Sequence, residues 1–312
     1  MNRMYHKLII LVPIIFVAFA CQKVHDVQDT VVEEVTANYS VTLADATKAL
    51  NDGADANYVW YALYKKSVDE QGVEKYTLAK EYAQVALTGG QAVCPVTMMR
   101  EQSYRIVFVA QHYDQVSDGE STVLQPIYTP DAEKHLIEMP DAAVANSGIY
   151  DAFYTVDEID NYDGKAVEPV TLKRLTAQVN FLTSTEDWNA AFDLSMTPTH
   201  SSVEVDGLSR SFDLLTGTPS VETVEQPVTY ERSQIPGNEH IASFFCFASD
   251  VIKVTLDLYT SETGASNRTI VVDNVPVKSN MKTNIKGRMM TGTLDYQITL
   301  DTVSSSQEHP ID

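Results

Sequence analysis

Apolar and polar positions alternate in short runs along most of the chain. In Val170–Thr183 (VTLKRLTAQVNFLT), Leu175, Ala177, Val179 and Phe181 fall on one face, with Arg174, Thr176, Gln178 and Asn180 on the other. Period-two alternation of this kind predicts a half-buried strand. Just upstream, Val170 and Leu172 are apolar on the opposite parity, which predicts a bulge near Lys173. Tyr104–Gln111 places Tyr104, Ile106, Phe108 and Ala110 on one face and Val107 and Val109 on the other. Val251–Tyr259 and Gly292–Leu300 also alternate, the latter with Leu294, Tyr296, Ile298 and Leu300 inward. Tyr58–Tyr64 and Ala242–Ala248 are apolar on both parities and read as buried strands.

Turn residues punctuate these runs at Asp69–Gly72, Gly89-Gly90, Asp118-Gly119, Asp206-Gly207 and Gly217. Helical signal is confined to the segment around Trp188–Phe192, preceded by Ser184 and Thr185 as capping residues. Residues 120–169 are less regular, with four prolines and the acidic run Asp157-Glu158-Ile159-Asp160. Many short strands with few helices predict β-sandwiches. The expected organisation is a first β-domain over residues 38–165, a second over 166–301 and a polar tail at 302–312.

The first twenty residues read as a signal peptide. Arg3 and Lys7 precede an apolar run from Leu8 to Ala20, too short to span a membrane in the ordinary way. The run ends Ala18-Phe19-Ala20-Cys21, which resembles a bacterial lipoprotein signal and makes Cys21 the expected lipidated residue. Residues 21–37 read as a tether. The full chain carries a formal charge of −21, from 22 basic and 43 acidic residues, which argues against nucleic-acid binding. Cys94 and Cys246 both lie in apolar runs and read as separate buried thiols, with a bridge between them the less favoured alternative.

Several stretches together resemble the fimbrillin superfamily: AVCPVTMMREQSYRIVFVAQ, then Tyr150–Tyr154 (YDAFY), then VTLKRLTAQVNFLT. The fourth is VDNVPVKSNMKTNIKG, where Asn274, Val275, Pro276, Val277, Asn280, Thr283, Asn284, Ile285 and Gly287 match a closing-strand pattern. The resemblance covers about residues 36–300. It implies two tandem transthyretin-like, Greek-key β-sandwiches, exported as a surface lipoprotein of the outer membrane. Stalk subunits of that type lose their first strand to proteolysis and accept a neighbour's strand in its place. This chain departs from the pattern in two ways. No arginine lies between Cys21 and Arg100, which leaves a lysine cut such as Lys48, and the tail after Leu300 is polar. An anchor or accessory subunit therefore fits better than a polymerising one. Expected partners are the lipid anchor, other fimbrial subunits and host or bacterial surface ligands.

Candidate chemistry is sparse. No metal-ligand spacing, nucleophile elbow, P-loop or dinucleotide fingerprint occurs, and two aspartate-rich stretches lack the spacing of a calcium loop. The chain is expected to be non-enzymatic and to carry no cofactor or metal. Trp188, in a polar stretch, is the candidate ligand contact for the alternative reading, a stand-alone glycan-binding lipoprotein. Asp29-Thr30-Val31 and Asp301-Thr302-Val303 resemble a short bacterial O-glycosylation signal, which marks Thr30 and Thr302.

Overall fold

The computed structural model describes residues 33–44, 55–117, 119, 121–220, 227–237 and 239–302. In chain order, the first stretch gives strands β1 (Glu34–Leu43), β2 (Tyr58–Val68), β3 (Glu74–Glu81), β4 (Val85–Ala86), β5 (Gln91–Met99) and β6 (Tyr104–Gln111). A run of short elements follows: β7 (Tyr113–Ser117), β8 (Thr122–Pro126), β9 (Thr129–Asp131), β10 (Leu136–Glu138) and β11 (Ala143–Val144). Next come β12 (Phe153–Ile159), β13 (Val170–Arg174), β14 (Thr176–Thr183) and helix α1 (Thr185–Asp193). The remainder is β15 (His200–Asp206), β16 (Ser211–Asp213), β17 (Thr218–Pro219), β18 (Val228–Gln234), β19 (His240–Phe247), β20 (Ser249–Tyr259), β21 (Arg268–Val277), β22 (Met281–Arg288) and β23 (Asp295–Thr302).

The first sheet runs β3-β2-β6-β12-β13-β1-β5, with β4 added to β2. The two-sided apolar character of β2 and β6 follows from their position between two cores. Val59, Tyr61, Leu63, Ile106, Phe108 and Ala110 pack with β1 and β5, while Trp60, Ala62, Tyr64, Val107 and Val109 join the core of the second half. That second core lies between a sheet of order β11-β18-β15-β20-β21 and one of order β19-β14-β22-β23. Inward-facing Val203, Val205, Val254 and Leu256 from one sheet meet Val179, Phe181, Phe244 and Ile285 from the other, the arrangement of a β-sandwich. Cys94 and Cys246 are both buried and unbridged, one in each core, and burial pushes both thiols up to about 12.

The parity switch in the central run has a different cause from the bulge expected near Lys173. Val170 and Leu172 of β13 belong to the first core, where β13 lies parallel to β1 and antiparallel to β12. At Leu175 the chain changes sheets. Its N–H donates to the Ala152 carbonyl at 3.0 Å, and from Thr176 onward the backbone pairs with β19 and β22. The polar parity of this run is also not exposed: Arg174 at the end of β13 and Thr176, Gln178 and Asn180 of β14 are all buried. Arg174 and Thr176 bond the buried Asp151 and Asn180 donates to Asn284, so internal partners replace water at these three, whereas the Gln178 amide nitrogen is buried without one.

Pairing also crosses the boundary placed between residues 165 and 166. β13 completes the first sheet, whereas β10 pairs with β16 and β11 with β18, so residues 129–144 join sheets with strands of the second half. β1 itself begins at Glu34, inside the segment read as tether.

The closing-strand motif has a structural explanation. Asn274 and Asn280 both hold left-handed backbone (φ 57° and 58°), which asparagine tolerates better than most residues. Thr283 is buried and donates to the Pro276 carbonyl at 2.5 Å. A Cβ at Gly287 would collide with the Asp295 carbonyl of β23, so only glycine lets the last strand approach.

Candidate functional site

β1 alternates strictly, and its inward residues Ala37, Tyr39 and Val41 are buried in the first core, with Val35 and Leu43 half-buried at its ends. Each large side chain enclosed in this way contributes about 1.5–3 kcal/mol. The strand fills a slot between two others. It pairs antiparallel with β5 from Glu34 to Thr42 and parallel with β13 from Val41 to Leu43. Removing it would leave β5 without a sheet partner and open an apolar groove.

Three residues fix its register by side chain. The Tyr39 hydroxyl donates to Asp157 Oδ2 at 2.8 Å, and its ring meets Phe108 at 5.1 Å between centroids. Thr36 contacts Thr97, hydroxyl to hydroxyl, at 3.0 Å. Thr42 contacts Thr171 at 3.3 Å and donates to the Val170 carbonyl at 3.4 Å. Burial raises the Asp157 carboxyl above its ordinary range, against the hydrogen bond from Tyr39 that favours its charged form. Burial and the neighbouring Asp157 carboxylate push the Tyr39 hydroxyl up as well.

The far side of β5 is closed by tyrosines. Tyr82's hydroxyl accepts from the Thr97 N–H at 2.9 Å and donates to the Thr97 carbonyl at 3.3 Å. Tyr61 donates to the Pro95 carbonyl at 3.2 Å, and Tyr104 accepts from the Met99 N–H at 3.0 Å. With these groups taken and Pro95 bringing no N–H, this edge has little left to offer a further strand. At this end of the first sheet, the slot of β1 is therefore where a strand can be gained or lost.

A cleft of about 520 Å³ lies where the first sheet meets the second half, lined among others by Arg105, Tyr154, Lys173, Phe212, Leu215 and Asn280. Its polar groups are largely committed. Arg105 pairs with Glu158, donates to the Leu215 carbonyl at 2.9 Å and lies over the Tyr76 ring; Tyr154 donates to the Leu214 carbonyl at 2.5 Å. Beneath it, Arg174 and Asp151 form a buried pair with contacts of 2.7, 2.8 and 3.0 Å, joined by the Thr176 hydroxyl at 3.0 Å. Desolvation raises Asp151, against the pull of Arg174.

Of the residues singled out from sequence, Cys21 and Thr30 lie outside the described residues, as does Lys48. Thr302 is the last residue of β23. Trp188 sits on α1, capped by Ser184, with its ring half-buried against the second core; the exposed apolar side chains nearby are Phe192, Leu194 and Met196. Among the described residues, Trp188 and Thr302 lie on different elements, α1 and β23. Sequence reasoning missed Asp157, lost among 43 acids, and the tyrosine edge, whose only signal is a high tyrosine count. Among the described residues no group of three or more His, Cys, Asp or Glu side chains could hold a metal ion, and no helix is long and apolar enough to cross a membrane.

No curated protein matches the chain. Among solved structures it is similar to a fimbrial assembly protein from Parabacteroides distasonis ATCC 8503, at 12% identity and a TM-score of 0.40, over 87% of this chain and 97% of that one. It is also similar to a C-terminally truncated form of the tip fimbrial protein Mfa3 from Porphyromonas gingivalis, at 8% identity and a TM-score of 0.41, over 86% and 100%. The family model described as "Family of unknown function (DUF6562)" matches residues 27–308. With the match running through every described strand, the chain belongs to the DUF6562 family.

Proposed function

We propose that this chain is a non-catalytic surface lipoprotein of fimbrillin type, a structural or adhesive subunit held in the outer membrane through Cys21 after removal of residues 1–20. Assembly proceeds by strand addition at the slot of β1, with other surface subunits as partners. The observation that carries this reading is the slot itself: one strand, enclosed by apolar contacts and flanked on both sides, in a sheet whose β5 edge is closed by tyrosine hydroxyls. The sequence resemblance points the same way through independent residues.

Two measurements test it. Limited lysine-specific proteolysis of the mature protein, followed by size-exclusion chromatography with light scattering, should convert monomer to larger species as β1 is released. Protein that is cut before β2 and stays monomeric would overturn strand addition. Cys21→Ser should move the protein from the membrane to the soluble fraction; continued retention would overturn the lipid anchor.

A further inference from the structure

The end of α1 turns apolar side chains toward solvent. Phe192 and Leu194 are the two most exposed large apolar residues among those described, at 70% and 62%, and Met196 follows at 41%. Other residues fasten the helix to the protein: Asp187 and Ala191 are buried, and Trp188 is half-buried against the second core. The exposed three are held rigidly by the backbone. The Ser195 N–H donates to the Phe192 carbonyl at 2.9 Å and the Met196 N–H to the Ala191 carbonyl at 2.8 Å, the pair of bonds that closes a helix through a left-handed residue. That residue is Ser195, at φ 56°, a conformation that disfavours serine relative to glycine. A surface fixed in this way needs little further ordering when a partner binds.

Place and charge narrow the partner. α1 follows Thr183, the last residue of β14, eight residues and about 25 Å of strand beyond the sheet change at Leu175. The β1 slot belongs to the sheet that the chain leaves at Leu175. No lysine or arginine lies between Arg174 and Arg210, whereas the same stretch holds five acids. Two of these, Glu186 and Asp193, are seven positions apart and share a face of α1, and Glu239 joins the helix by accepting the Thr185 hydroxyl at 3.1 Å.

We infer that Phe192, Leu194 and Met196 form a docking knob for a second protein, different from this chain, which encloses them in an apolar pocket bordered by lysine or arginine. Docking here is independent of strand addition at β1 and gives the chain another contact surface. A lipid surface fits poorly, because segments that lie on membranes carry the cations missing from this stretch. A glycan fits poorly as well, since Leu194 and Met196 have no ring face on which a sugar could stack. Two copies of this chain would bring like charges together, and three side chains cover well under the ~800 Å² per partner of a standard interface. A concave partner avoids both difficulties: it buries a small, rigid apolar anchor at the centre of the contact and sets its own cations against Asp193 at the rim.

The test places the photo-crosslinker p-benzoylphenylalanine at position 192 of the full chain on the cells that make it, with the same group at the exposed Val123 as control. Illumination should join position 192, and not position 123, to one different protein, at a peptide with apolar residues flanked by lysine or arginine. Leu194→Ser should lower the yield about tenfold, as loss of an anchoring side chain does, and Asp193→Lys about threefold. Neither change should lower the urea midpoint, since both positions are exposed. A crosslink to a second copy, to lipid or to glycan would overturn the proposal, as would no crosslink at 192 beyond that at 123. So would a yield that survives Leu194→Ser, a captured peptide without that composition, or a midpoint that falls with the yield, which would make these residues structural. A yield raised by Asp193→Lys would overturn the basic border.

Discussion

Replacing Asp187 by alanine should be among the most damaging single changes in this protein, although the residue lies far from the β1 slot in sequence. Its carboxylate accepts five hydrogen bonds. Oδ2 takes the Met289 and Met290 N–H groups at 2.7 Å each and the Thr183 hydroxyl at 3.0 Å. Oδ1 takes the Thr291 N–H at 2.9 Å and its hydroxyl at 2.6 Å. The threonine hydroxyls can rotate to other acceptors, but the backbone N–H groups of Met289 and Met290 lie in buried residues and cannot. Each buried donor left unpaired costs about 1–3 kcal/mol, so Asp187→Ala should lose about 4 kcal/mol. Asp187→Asn keeps one acceptor oxygen but turns an NH₂ toward the same donors, and should lose about 2 kcal/mol. Urea unfolding followed by tryptophan fluorescence reads both as a lower midpoint with an unchanged slope. Burial works against ionisation of Asp187, yet the N–H and hydroxyl donors hold its carboxyl below the ordinary range. Its share of stability is therefore present above the unfolded carboxyl's pKa and lost as pH falls through the folded one, so the alanine variant should lose less on acidification than wild type. A loss under 1 kcal/mol in Asp187→Ala, or an unchanged acid profile, would refute the reasoning.

Other predictions follow from the same accounting. Asp151→Ala should cost about 3–5 kcal/mol by stranding the buried Arg174, whereas Asp151→Leu combined with Arg174→Met should recover most of that loss in the same urea assay. His240, half-buried near Lys282, has its pKa lowered to about 4 from 6.5 chiefly by desolvation, so up to about 3 kcal/mol of stability should disappear between pH 6.5 and 4, and His240→Phe should flatten that slope. Trp188→Ala should lower thermal stability, since the ring packs on the second core; a glycan array showing binding that is lost in Trp188→Ala and retained in Phe192→Ala would favour the glycan-binding reading instead.

The long alternating strands were legible because their pattern repeats over enough residues to fix a face: β6, β20 and the inward set of β23 lie where alternation places them. Strands of two or three residues, such as β10, β11 and β16, are too short for any period to register, which is why residues 129–144 look irregular in sequence and carry no sign of their pairing with the second half. The sheet change at Leu175 left a trace in parity, but a bulge and a change of partner leave the same trace, and only the neighbours distinguish them. Buried polar groups were the least visible. Asp151, Asp157 and Asp187 look like any surface acid until the donors around them, some a hundred residues away, are in place.

The passage from β13 to β14 through the single residue Leu175 has a mechanical consequence. A chain anchored ahead of β1 and pulled from the second half feels tension at the leading end of β1 and at the trailing end of β13, which lie parallel and adjacent. Opposed forces on parallel neighbours load the sheet in shear, so the bonds holding β1 to β13 and β5 resist together rather than opening one after another like a zipper. Such a strand holds against a pull along its axis far better than against peeling from one end, where its bonds open in turn.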